Sequence, residues 1–79
     1  MNIKFSRHAK RRAKIYGIAE STVTEILASM DLHQGEHEII KNVEEMACPL
    51  KIVVSVESDT VAIITNYPLK KGRKNESAL

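Results

Sequence analysis

The spacing of apolar residues along the chain changes period twice, and each change marks a boundary between elements. Asn2-Ile3-Lys4-Phe5 alternates polar with apolar, the two-residue period of a short edge strand. Ser6 then offers a side-chain oxygen to cap a helix, and Gly17 offers the left-handed conformation that ends one. The spacing between them predicts a helix over 7–16. Phe5, Ala9, Ala13 and Tyr16 share its buried stripe, and Arg7, Lys10, Arg11 and Lys14 take the opposite side. His8 and Arg12, four residues apart, run along the border between the two. A second helix is expected over 20–30. Val23, Ile26, Leu27 and Met30 line one face of it, and Glu20 sits at the positive end of its dipole.

The period then returns to two. Residues 31–37, around Gly35, read as a loop, and 38–43 as a strand. A turn over 45–49 follows, because Pro49 has no donor for a central ladder. Leu50, Ile52, Val54 and Val56 alternate with Lys51, Val53, Ser55 and Glu57, the pattern of a half-buried strand. Ser58-Asp59-Thr60 is hairpin-turn material. The run 61–67 is β-branched and apolar on both faces, which places it in the centre of a sheet, and Pro68 ends it. Residues 70–79 carry no periodicity. The expected architecture is an α+β domain over 1–69, ordered β-α-α-β-β-β, with two N-terminal helices packed on an antiparallel sheet. A basic, flexible tail over 70–79 completes it.

Composition narrows the class. The chain has 79 residues, of which 43% are hydrophobic and 28% charged, the balance of a folded globular domain. A chain of this size buries about 60% of its unfolded surface. No apolar run approaches the roughly 20 residues of a membrane span, and the charged N-terminal stretch lacks the apolar core of a secretion signal. Cys48 is the one cysteine, so no internal disulfide forms and a reducing, cytoplasmic setting fits best.

Charge changes the picture more, because it is unevenly distributed. Residues 1–19 hold Lys4, Arg7, Lys10, Arg11, Arg12 and Lys14 and no acid, whereas 20–69 hold nine acids against Lys41 and Lys51. Residues 70–79 return to basic with Lys70, Lys71, Arg73 and Lys74 against Glu76. A solvated helix face and a solubilising tail are the plainer explanation of either block. Two basic blocks in one short chain make a polyanion or an acidic partner an equal candidate.

The stretch from Ser6 to Arg12, followed by Gly17-Ile18 and a second helix, resembles the opening of a family of small bacterial domains. That opening reads His-Ala-x-x-Arg, matched here by His8, Ala9 and Arg12, and then Arg-Gly-Ile-Ser. The run Ile63-Ile64-Thr65-Asn66-Tyr67 resembles the family's last strand, which ends in Thr-x-Tyr. The family is similar in element order to the RelE/ParE toxin superfamily and the wider barnase–EndoU–colicin–RelE ribonuclease fold. The resemblance covers residues 3–71. Tyr16 stands where the pattern often has Arg, which removes one phosphate contact, and Ala19 where it often has a capping Ser. The resemblance implies metal-independent RNA cleavage in a bacterial toxin–antitoxin setting.

Such cleavage needs a group to take the 2′-hydroxyl proton, one to protonate the leaving oxygen, and positive charge on the crowded phosphorane. His8 suits a proton role and Arg12 a bidentate phosphate contact. Thr65 and Tyr67, two apart on a strand, share one sheet face. In the family's fold the last strand lies near the first helix, so His8, Arg12, Thr65 and Tyr67 are expected to converge. On this reading His8, Arg12 and Tyr67 are catalytic, while Arg7, Arg11, Thr65, Lys70 and Lys71 bind RNA phosphates. The plainer roles are an edge-of-core histidine packed on Ile15, an ion-paired Arg12, a strand-end Tyr67 with a wet hydroxyl, and a Thr65 that only builds the strand.

No cofactor or metal is expected. His33 and His37 are separated by Gly35, a fourth zinc ligand beside Cys48 cannot be placed, and Cys48 lacks the basic surroundings of a nucleophile. The first expectation is therefore an endoribonuclease acting on RNA, on or off the ribosome, with an antitoxin protein as a further partner. The alternatives are a non-catalytic module of the same fold that binds RNA or protein, and an inactive structural domain with basic ends.

Overall fold

A computed structural model describes residues 2–43 and 46–69. The elements follow the expected order: β1 (Asn2–Phe5), α1 (Arg7–Tyr16), α2 (Glu20–Ala28), β2 (Gly35–Lys41), β3 (Leu50–Glu57) and β4 (Thr60–Pro68). The strands form one open sheet in the order β1-β4-β3-β2. The β2–β3 and β3–β4 pairs are antiparallel, but β1 pairs with β4 in parallel, so the sheet is mixed rather than wholly antiparallel. β1 returns to β4 only after the two helices and two other strands, and its four residues contain nothing that fixes orientation.

One face of the sheet meets the helices. Leu50, Ile52, Val54 and Val56 of β3 and Val61 and Ile63 of β4 point inward, joined by Ile39 from β2. Ala9 and Ala13 from α1 and Val23 and Leu27 from α2 close the core above them. The alanines allow close approach of α1, as their spacing predicts. Tyr16 does not complete that stripe, being 40% exposed, and Ile15 is 63% exposed.

Ser6 caps α1 by accepting the Ala9 amide at 3.0 Å, and Gly17 closes the helix at φ 68°. Ala19 precedes α2 with the backbone geometry of an N-cap but has no side chain to accept a bond. The helix ends at Ala28 rather than residue 30, with Met30 still half-buried against the core. β2 starts at Gly35, so His37 lies in a strand rather than a loop, and Asn42 and Val43 fall beyond its end. The Ser58–Asp59 loop joins β3 to β4, Thr60 already belonging to β4. Ser58 takes a positive φ of 55°, and Gln34 holds the turn with bonds to both its amide and its carbonyl. Glu45 and the tail over 70–79 lie outside the described residues.

The feature that matters most for the site is a bulge. Val53 pairs with Thr65 and Val54 with Ile63, which leaves Ile64 without a partner on β3. One extra residue reverses the inward–outward phase of everything after it. Val61 and Ile63 therefore point inward before the bulge, and Asn66 points inward after it. Among the described residues, no helix is long and apolar enough to cross a membrane.

Candidate nucleic-acid interface

The bulge anchors α1. It frees the Ile64 carbonyl, to which Ser6 Oγ donates at 2.9 Å, while the Ser6 amide donates to Ile63 O at 3.0 Å. One turn later, Asn66 Nδ2 donates to the Ala9 carbonyl at 3.2 Å from a fully buried position. These contacts and the buried alanines fix the rotation of the helix about its axis. Arg7, Lys10, Arg11 and Lys14 are consequently all exposed, on a strip that spans about 10 Å along the axis at 1.5 Å per residue.

Among the described residues, no acid is seen paired with this strip. Its first turn contains no acidic residue, and the ion pair seen among the described residues, Lys51 with Glu38 at 3.3 Å, belongs to the sheet. Arg7 and Lys10 lie toward the positive end of the helix dipole, where cations are disfavoured and an anion is favoured. The electrostatics of the first turn thus favour a bound anion over the bare helix.

His8 is exposed and lines a surface cleft of about 280 Å³ together with Arg7 and Arg11. Arg12 is directed elsewhere, its Nη1 donating to the Tyr16 hydroxyl at 3.3 Å. The expected pairing of His8 with Arg12 gives way to a cleft that His8 lines with Arg7 and Arg11, while Arg12 meets Tyr16.

Thr65 and Tyr67 occupy a different environment. They share a sheet face, as expected, but the bulge turns that face away from the side on which Asn66 meets α1. Tyr67 stands opposite Lys51, whose ammonium lies 6.0 Å from the ring centroid. The hydrogen bond and the charge of Glu38 raise the Lys51 pKa, with a further contribution from Tyr67. Among the described residues, no hydrogen bond, ion pair or ring contact joins His8 or Arg12 to Thr65 or Tyr67. The four residues expected to converge form two groups, one on α1 and one on the open sheet face. Lys70 and Lys71 lie outside the described residues.

Asn66, which anchors α1 to β4, was not among the residues expected to matter. Its signal was an amide inside an otherwise β-branched run, where a polar side chain calls for a partner. Among the described residues its Oδ1 has no hydrogen-bond partner. His37 Nε2 lies 2.6 Å from the His33 carbonyl, and Cys48 is half-buried as a free thiol. Among the described residues, no three His, Cys, Asp or Glu side chains gather into a metal-binding group. No protein-family model, curated protein or solved structure matches the chain.

Proposed function

We propose that this chain binds RNA through the sugar–phosphate backbone, laying a strand along the exposed face of α1. The observation that carries the reading is the rigidly presented strip of Arg7, Lys10, Arg11 and Lys14, free of acidic partners among the described residues. Arg7 and Arg11 hold phosphate oxygens through their planar forks, while Lys10 and Lys14 act as point charges. Contacts of this kind position a strand without reading its sequence. Lys10→Glu with Lys14→Glu tests the reading. Both sites are exposed, so the double variant keeps its fold and loses affinity for a single-stranded RNA probe in fluorescence anisotropy. A folded double variant with unchanged affinity contradicts it.

The cleft around His8 favours a second reading, that of a toxin-like, metal-independent endoribonuclease. Here His8 moves the proton at the 2′-hydroxyl or the leaving oxygen, and Arg7 and Arg11 hold the charge of the phosphorane. Tyr67 has no part in this version of the site, and Arg12 supports it only from beside Tyr16. A positioned acid or base contributes on the order of 10²–10⁴-fold to rate. His8→Gln then lowers cleavage by that factor and leaves RNA binding and stability nearly unchanged. Product ends, a cyclic phosphate and a 5′-hydroxyl, distinguish cleavage from contamination by another nuclease. Intact RNA after incubation with the wild type, free and ribosome-bound, leaves the binding reading alone. An antitoxin partner belongs to this second reading.

A further inference from the structure

The far edge of the sheet has chemistry opposite to that of α1. β2 is the terminal strand, paired with β3 on one side and with no described strand on the other. In an antiparallel ladder every second residue of an edge strand turns its N–H and C=O away from the neighbour, and these groups are a template for another strand. Glu36, Glu38 and Ile40 alternate along its outer face, and all three are exposed. A cleft of about 290 Å³ runs beside the strand end, walled by Thr22, Glu25 and Ile26 of α2 and by Lys41, Asn42 and Val43, so that Lys41 faces Glu25 across a groove of no net charge. A smaller cleft of about 110 Å³ shares Thr22 and Val43 and extends the groove toward Gly17.

We propose that this edge and groove take an extended, cationic peptide segment of a partner protein, added to the sheet as a fifth strand beside β2. Backbone pairing along 35–41 supplies the binding, and side chains at alternate positions supply the selectivity. The charges decide the occupant. Strand neighbours opposite Glu36 and Glu38 are favoured when basic and disfavoured when acidic. A second copy of this chain pairing antiparallel through β2 sets Glu36 against Glu38 when centred on His37, and Glu38 against itself when centred on Glu38. Nucleic acid is repelled by the same carboxylates. Ile40, 59% exposed, asks for an apolar residue two places along, and Ile26 and Val43 offer a partly apolar floor to a side chain entering the groove.

The test uses the full chain and a short synthetic peptide in which one valine and two arginines occupy alternate positions. Amide NMR shifts and hydrogen exchange are followed across the protein. The expected result is shifts and added protection in 35–41 and along 22–26, with α1 amides unchanged. The same peptide with glutamates in place of the arginines should bind at least tenfold more weakly, and one with N-methylated backbone amides should not bind. Glu36→Lys is the informative variant, since the Glu36 side chain has no described hydrogen bond or ion pair whereas Glu38 is tied to Lys51. Its affinity for the arginine peptide should fall severalfold while its circular dichroism stays that of the wild type. Three results overturn the proposal: no response in β2, equal binding of the glutamate peptide, or a peptide-free dimer whose protected edge is β2.

Discussion

Replacing Asn66 separates the two halves of its energetics. The side chain is fully buried, donates one bond to the Ala9 carbonyl at 3.2 Å, and has no partner for Oδ1 among the described residues. A neutral hydrogen bond contributes about 1 kcal/mol net, whereas an unsatisfied buried acceptor costs about 1–3 kcal/mol. Asn66→Ala removes both, and the small void it leaves adds to the cost, so the net change should stay within roughly 1–2 kcal/mol. Asn66→Asp keeps the volume but places a carboxylate against the Ala9 carbonyl with no described cation beside it. Leaving a buried charge uncompensated costs on the order of 3–5 kcal/mol, a large share of the stability of a small domain. Urea unfolding reads the difference. With a slope of about 1 kcal/mol/M, as for a short chain, Asn66→Asp should lower the midpoint by about 3–5 M and Asn66→Ala by no more than about 1–2 M. An Asp variant as stable as the Ala variant would refute the placement of this side chain in the core beside α1.

Three further outcomes follow from the packing and the charges. Ala9→Leu or Ala13→Leu should cost about 1–3 kcal/mol by overpacking α1 against the sheet, whereas Lys10→Ala or Lys14→Ala should stay within about 0.5 kcal/mol in the same unfolding assay. Ala19→Ser should stabilise by about 0.5–2 kcal/mol, because the N-cap backbone geometry is already in place and only the acceptor is missing; unchanged thermal unfolding would contradict it. Glu38→Gln should return the Lys51 ammonium toward its ordinary range in a ¹⁵N-detected titration, since Glu38 is the main cause of its raised pKa. A pKa raised on folding stabilises below the unfolded-state value and ceases to do so as pH climbs through the folded one. The wild-type advantage over Glu38→Gln should therefore persist at neutral pH and fade above about 10.5.

Local signals carried most of the fold. Ser6 and Gly17 bound α1 because capping depends on the residue itself and its immediate neighbours, and the strict alternation in β3 left one phase for its core face. Features set by distant contacts were not legible. The parallel pairing of β1 depends on where four residues land after the helices, and a four-residue alternation is compatible with either direction. The bulge at Ile64 hid in a run of branched residues that satisfies either phase, so the face on which Thr65 and Tyr67 emerge could not be read there. Asn66 alone in that run marked the phase, being the residue whose amide had to find a partner. The start of β2 moved to Gly35 because the ladder with β3 extends as far as Val56, a tertiary pairing that overrides the turn preference of glycine. On α1, the basic strip was legible from spacing, but the choice of Arg7 and Arg11 over Arg12 as neighbours of His8 rests on side-chain geometry.

The salt dependence of RNA binding tests the central claim most directly. Each phosphate neutralised on a single strand contributes about −0.7 to the slope of log K against log salt. Arg7, Lys10, Arg11 and Lys14 together would contribute up to about −2.8, and any contacts from the remaining cations add equally to wild type and variant. The difference between the wild type and Lys10→Ala with Lys14→Ala therefore isolates the α1 face. The account predicts measurable affinity at low salt and a slope shallower by about 1.4 in the double variant. Equal slopes in the two proteins, or a wild type that does not bind RNA at low salt, would contradict it.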